Sequence, residues 1–325
     1  MVFDYQKICS EFLKDLPKKQ KEVILRRFGL DGKERETLES IGESFGITRE
    51  RVRQIQNAGF LKMKPKIEKY QKVFKYLFDQ IKANGGFKKE DALLSQLGGQ
   101  NYKNNIFFLL TLGEPFQRFS ETPDFHTLWT INPEYPVIIK KTIDFLYNKL
   151  KEKGKPQGMG EISSFAKQKE PFLVSTLEVS KTIYRNEDGF FGLKDWPEIN
   201  PRGVKDKAYL VFKKEKKPLH FREVTKLIGP TTLPQTVHNE LIKDQRFVLV
   251  GRGIYALREW GYEEGQVKDV IAKILRETRK PLTKKEILDK VLKQRLVKES
   301  TILLNLSNKN YFLRDSQGKY QVKEV

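Results

Sequence analysis

Three evenly spaced Lys-Pro steps in the later part of this chain limit what it can fold into. Lys155-Pro156, Lys217-Pro218-Leu219 and Lys280-Pro281-Leu282 stand about 60–65 residues apart, longer than most solenoid repeats and close to the size of a small domain. An amphipathic, lysine-rich helical stretch precedes each step, at residues 143–147, 208–212 and 270–275. A fourth and looser copy runs through residues 73–78 to the break Gly85-Gly86-Phe87. After each break the pattern predicts a second helix, a third helix and two aromatic strands around a turn. The predicted hairpins pair residues 116–119 with 126–129, 182–185 with 190–193, 246–250 with 254–257, and 311–314 with 319–322. Runs of aromatic and β-branched residues flank each turn, and the last three turns contain Gly.

A chain patterned in this way builds several small cores. Its 325 residues alone would suggest two or three ordinary domains, or more if they are small. Hydrophobic residues make up 38% and charged residues 32%, a balance suited to units with a high surface-to-volume ratio. Aromatics reach 11%, too many for a disordered chain of this charge. Lys and Arg outnumber Asp and Glu by 62 to 42, for a formal charge of +20. Such an excess bears on partners rather than fold, and nucleic acid is the first reading. A merely lysine-rich surface is the bland one, and no basic amphipathic tail or lipidation signal supports a membrane face. The single cysteine, Cys9, forms no internal disulfide; it lies on an apolar helical stripe and reads as a core filler in a reducing, cytoplasmic setting. The N-terminus has no signal-peptide pattern, and the longest apolar run, 106–110, is too short to span a bilayer.

The first seventy or so residues follow a different plan. Ile8, Cys9, Phe12, Leu13 and Leu16 share a helical face. Pro17 opens a second helix, which carries Val23, Ile24 and Phe28 and ends at Gly29. Thr37 is a good N-cap for a short third helix with Leu38, Ile41 and Phe45 on its apolar side. Gly46 supplies the left-handed stop, and the missing side chain at Gly42 leaves room for a crossing helix. Thr48 caps that next helix. Two helices joined by a short Gly turn make a helix-turn-helix. At 100° per residue, Val52, Ile55 and Gly59 point one way, while Glu50, Arg53, Gln54 and Asn57 point the other. Arg49 lies at the edge of the outward face, and Arg51 and Gln56 fall on its flanks. Arg suits guanine O6 and N7, Gln and Asn suit the adenine edge, and Glu accepts from cytosine N4. By itself the pattern also fits an ordinary solvated helix face.

The strings Leu16-Pro17, Val23-Ile24-Leu25-Arg26-Arg27-Phe28-Gly29-Leu30, Thr37-Leu38-Glu39 and Ile47-Thr48-Arg49-Glu50-Arg51-Val52-Arg53-Gln54-Ile55 together resemble region 4 of the bacterial sigma-70 factors, over about residues 5–66. The resemblance implies a helix that reads the promoter −35 element of double-stranded DNA. Arg49, Glu50 and Gln54 would read bases and Arg53 would contact a base or phosphate; Thr48, Arg51 and Asn57 complete the candidate DNA-binding set. It also implies docking of the earlier helices on the β flap of the RNA polymerase core. After Ile55 the sequence departs from the family: residues 56–60 carry no basic residue, and Gly59 is expected to weaken the helix. Nothing elsewhere in the chain resembles the sigma segments that bind the core tightly or melt the −10 region.

Three helices and a hairpin read as a winged helix. Residues 203–262 and 264–325 resemble HARE-type winged helices, the family of the RNA polymerase delta subunit N-terminal domain. Segments 69–134 and 137–198 follow the plan more loosely. The expected fold is thus mainly α with small β-hairpin wings: an N-terminal helix-turn-helix over residues 1–68, then tandem winged helices. Pro-containing linkers at 132–136 and 196–203 would be fairly stiff.

The chemistry of a catalyst is not legible. His126, His220 and His238 have no neighbours at zinc spacing. His126 is expected in a strand and His220 near a helix start. No phosphate-binding loop or serine elbow occurs. The sequence therefore leads to a non-enzymatic, cytoplasmic and nucleoid-associated transcription regulator, without cofactor, metal or small-molecule substrate. Its alternatives are a polymerase- or protein-docking module and a basic architectural protein that coats DNA without preference.

Overall fold

The computed structural model describes residues 3–262 and 265–323. The expected segment limits at Met1, Glu264 and Val325 lie outside the described residues. The chain is mainly helical with short antiparallel strands, and it divides into two compact units, 1–195 and 196–325.

The first unit opens with α1 (Tyr5–Leu13), capped by the Asp4 carboxylate, which accepts from Lys7 N at 2.9 Å. The helix stops short of Leu16 because Pro17 disfavours helical backbone just before it. Pro17 then leads into α2 (Lys18–Phe28), which ends on Gly29 at φ +59°. Next come α3 (Leu38–Phe45) and α4 (Arg49–Met63). Val23, Ile41 and Val52 form a small core of their own among α2, α3 and α4.

From α4 the chain runs through a 3₁₀ turn (Lys64–Tyr70) into α5 (Gln71–Ala83), β1 (Phe87–Lys89), α6 (Glu90–Gly98), α7 (Lys103–Leu112), β2 (Gln117–Phe119) and β3 (Leu128–Thr130). The sheet order is β1-β3-β2. The main core of this unit extends from α1 to α7 and β3. Phe108 of α7 is fully buried, with its ring 6.4 Å from Phe12, 5.3 Å from Phe28 and 6.3 Å from Phe60. Asn104, also on α7, donates from Nδ2 to Gly29 O at 3.1 Å. The helices of the first seventy residues are therefore braced from behind by a helix that follows them. Cys9 is buried in this core, its Sγ 3.9 Å from Asn105 O, and burial pushes its thiol up to about 12. It is a core filler, as its stripe position implied.

The remaining elements of the unit are α8 (Tyr135–Lys153), α9 (Met159–Ala166), α10 (Glu170–Val179), β4 (Ile183–Arg185) and β5 (Phe191–Leu193). The expected 132–136 linker is shorter than predicted, because Tyr135 and Pro136 already form the first turn of α8, where proline loses no hydrogen bond. Phe87, Phe125, Ile139, Ile143 and Phe172 share a core across the join. Backbone bonds from His126 N to Val179 O at 2.8 Å and from Lys181 N to Asp124 O at 3.0 Å reinforce it. His126 thus lies just ahead of β3 rather than within a strand, its N–H committed to this join.

The second unit contains α11 (Gly203–Glu215), β6 (Leu219–His220), α12 (Phe221–Ile228), α13 (Pro234–Lys243), β7 (Phe247–Gly251) and β8 (Ile254–Leu257). Its sheet order is β6-β8-β7. His220 caps α12, with Nδ1 accepting from Arg222 N at 3.3 Å. After a 3₁₀ turn (Arg258–Trp260) follow α14 (Val267–Thr278), α15 (Lys284–Gln294), α16 (Glu299–Leu306), β9 (Phe312–Arg314) and β10 (Tyr320–Val322). The residues just after α15 bond the edge of β7: Leu296 N donates to Val250 O at 3.2 Å and Arg295 Nη1 to Leu249 O at 2.6 Å.

The residues at or just after each break pair with the second strand of the following hairpin. Phe87–Lys89 pair with β3 and Leu219–His220 with β8, while Gln157 bridges to Phe191 and Leu282 to Tyr320. By sequence these stretches read as breaks alone. They are too short to show strand alternation, and only the partner strand makes them β. Among the described residues, no helix is long and apolar enough to cross a membrane.

Candidate nucleic-acid interface

The surface around α4 is built from its turn upward. Gly46 sits at φ +63°, donating to Glu43 O at 3.2 Å, and Ile47 N reaches Gly42 O at 3.0 Å. A Cβ on Gly42 would lie 2.7 Å from Ile47 O, so this glycine admits the backbone of the turn itself. Thr48, extended at φ −70° and ψ 153°, accepts from Arg51 N at 3.2 Å and starts α4. Thr37 does the same for α3, accepting from Ser40 N at 3.1 Å. Val52 faces inward onto Val23 and Ile41. Gly59 is buried against Ile24, 2.6 Å from where its Cβ would stand. Its role is thus a close crossing of α2 and α4, and α4 continues unbroken through it to Met63.

Thr48, Arg49, Glu50, Arg51, Arg53, Gln54 and Asn57 are all exposed. The structure brings them onto one continuous stretch of α4. Glu50 and Arg53, with side chains 57% and 53% exposed, form a bidentate pair at 2.7 and 2.8 Å. The Arg53 hydrogen bond holds the Glu50 carboxyl below its usual range. Arg51 Nη1 donates to Gln54 Oε1 at 3.0 Å. The i,i+3 spacing that produces both pairs also orients the four side chains before any ligand arrives. Gln56, on the flank, is half-buried.

Behind this helix, the guanidinium of Arg26 grips Glu36 at 2.7 and 2.8 Å and reaches Ser44 Oγ at 2.8 Å, tying α2 to the start and end of α3. Arg27 Nη1 donates to Glu36 O at 2.7 Å. Burial holds the Arg27 guanidinium below its usual range, and the positive charges of Arg35, Arg118 and Arg49 act in the same direction. Those charges come from the α2–α3 loop, β2 and the start of α4. Sequence reasoning missed Arg35 and Arg118: neither has a periodic signal, and Arg118 reaches the site only through the packing of α7 and β2.

Residues 12–64 match the family model for Sigma-70, region 4. Among relatives, the chain is 47% identical over 53 residues to "RNA polymerase sigma factor RpoS" of Coxiella burnetii, covering 16% of this chain and 15% of that protein. It is 46% identical over 57 residues to "RNA polymerase sigma factor sigB" of Arabidopsis thaliana, covering 18% of this chain and 10% of that protein. The chain thus shares with these relatives a segment that is a small fraction of their length. The residues matched to the family model, 12–64, span the turn, both caps and all of the outward residues of α4, and stop ahead of α5.

Proposed function

We propose that this protein is a transcription regulator that reads a −35-like element of double-stranded DNA with α4 and contacts RNA polymerase core through its sigma-like helices, at a surface equivalent to the one that meets the β flap. In this reading Arg49, Glu50 and Gln54 contact bases and Arg53 a base or phosphate, while Thr48, Arg51 and Asn57 border them. The observation that carries the reading is the run of seven exposed residues from the Thr48 cap through Asn57 on α4, inside the segment that matches Sigma-70, region 4. The net charge of +20 supports a polyanionic partner. The remaining segments, 69–134, 137–198, 203–262 and 264–325, are winged helices in this reading, the last two of HARE type. The protein acts in the cytoplasm on the nucleoid.

Fluorescence anisotropy on duplexes carrying a consensus −35 hexamer or a scrambled one, over a salt series, tests this. The hexamer is expected to bind more tightly, with the preference lost in Gln54→Ala at a cost of about 1–3 kcal/mol. Equal binding of both duplexes by the unaltered protein would remove base reading from α4.

A second reading applies to the second unit alone. Leu233, Ile242 and Leu304 are 68%, 63% and 73% exposed at or on α13 and α16, the helices a winged helix would present to a groove. Apolar side chains there favour protein docking over DNA contact.

A further inference from the structure

Two arginines lie over one aromatic ring beside α4. The Arg35 guanidinium stands 4.3 Å from the centre of the Phe107 ring, and the Arg118 guanidinium 5.7 Å from it. Both residues are exposed. Arg35 comes from the α2–α3 loop, inside the segment matched to Sigma-70, region 4; Arg118 comes from β2, outside it. Each cation gains from the ring face, but two like charges on one ring repel each other. Arg118 is nevertheless fixed in place. Its Nη2 donates to Glu90 Oε1 at 2.8 Å and its Nε bonds Oε2, while Trp129 Nε1 donates to the same Oε2 at 2.9 Å. Glu90 is buried, so the fork is anchored from beneath, and the Nη1 donors remain for a ligand. Arg27, on which the charges of Arg35, Arg118 and Arg49 act, donates from Nη1 to Glu36 O at 2.7 Å, next in the chain to Arg35.

We propose that Arg35 and Arg118, seated over Phe107, form a second DNA-phosphate site that extends the α4 interface onto the segment following the sigma-like module. The proposal rests on the reading of α4 as a DNA-facing helix. A planar guanidinium held rigidly at one edge matches a phosphate diester. Arg35 lies in the same matched segment as α4, and the net charge of +20 favours a polyanion, so DNA rather than an acidic peptide is the occupant. The contact carries no base information, because the site lies beside the groove-reading helix and offers only charge-assisted donors.

The test uses the full chain, the hexamer and scrambled duplexes, and a salt series. Arg35→Gln and Arg118→Gln are each expected to weaken binding to both duplexes by a similar factor, leaving the preference between them unchanged. Each should also flatten the slope of log affinity against log salt by about one, and the double variant by about two. Arg118→Lys should restore most of the slope. Arg118→Gln leaves Glu90 short of a partner; if its melting temperature falls, Arg35→Gln, an exposed loop residue whose side chain lies on the Phe107 ring, carries the test. Unchanged slopes in folded variants would overturn the proposal, as would loss of hexamer preference without a change in slope. Flattened slopes in a protein that never distinguishes the two duplexes would leave this site standing while the base-reading role of α4 falls.

Discussion

Gly42 and Gly59 are both helical glycines at the crossing of packed helices, yet their surroundings differ in kind. A methyl group at Gly42 meets a backbone oxygen at 2.7 Å, and that oxygen belongs to the turn that defines the angle between α3 and α4. A methyl group at Gly59 meets Ile24 Cδ1 at 2.6 Å, the far end of a side chain that can change rotamer. An alanine in a helix interior normally stabilises by about 0.5–1 kcal/mol relative to glycine. At Gly59 that gain offsets the repacking of Ile24, and Gly59→Ala is expected to be near neutral in a denaturant melt. At Gly42 the backbone must move, and Gly42→Ala is expected to cost about 1–3 kcal/mol, in the range of overpacked cores. The two variants melting alike would refute this distinction. Composition and propensity treat the two glycines identically; the local string marks Gly42 as room for a crossing helix, but only the packing reveals that the turn backbone fills that room and what Gly59 is for.

At the scale of elements, α4 is supported by α7, a helix far from it in sequence. The caps at Thr37 and Thr48 and the Gly46 turn are local devices, and each was legible because its partners lie within three or four residues. The support from α7 is not local. Phe108 closes an aromatic cluster with Phe12, Phe28 and Phe60, one ring each from α1, α2 and α4. Removing a fully buried Phe side chain typically costs about 3–5 kcal/mol. Phe108→Ala is expected to destabilise the first unit by that order in chemical denaturation and to weaken DNA binding, although every candidate base-reading residue is intact. A variant that melts lower but binds the hexamer normally at low temperature would show that α4 holds its geometry without this brace. The short strands β1 and β6 illustrate the opposite limit of legibility. With three and two residues they show no period, and they exist because β3 and β8 offer them an unpaired edge.

For the molecule as a whole, small cores built in series would suggest independent beads. The first core instead passes through residue 68 without a break, from Tyr5 on α1 to Trp129 on β3. A fragment of residues 1–68 would expose the faces of Phe12, Phe28 and Phe60 that Phe108 covers. It is expected to melt well below a fragment of residues 1–195 and to bind a hydrophobic dye that the longer fragment does not; equal melting temperatures would mean that the helix-turn-helix is self-sufficient.

What the amino-acid order determined by itself is whatever neighbours in the chain decide. It specified the caps at Thr37 and Thr48, where Gly permits a left-handed turn, and which face of α4 is polar, because caps, turns and side-chain periods act over a few residues. Tertiary structure alone decided which chain-distant groups share a site. It set Arg118 beside Arg35 on the Phe107 ring, Asn104 on Gly29, and Leu296 on the edge of β7. These contacts depend on how helices cross and sheets twist, and each is selected by the packing energy of many side chains at once, so no single stretch of sequence carries its signature.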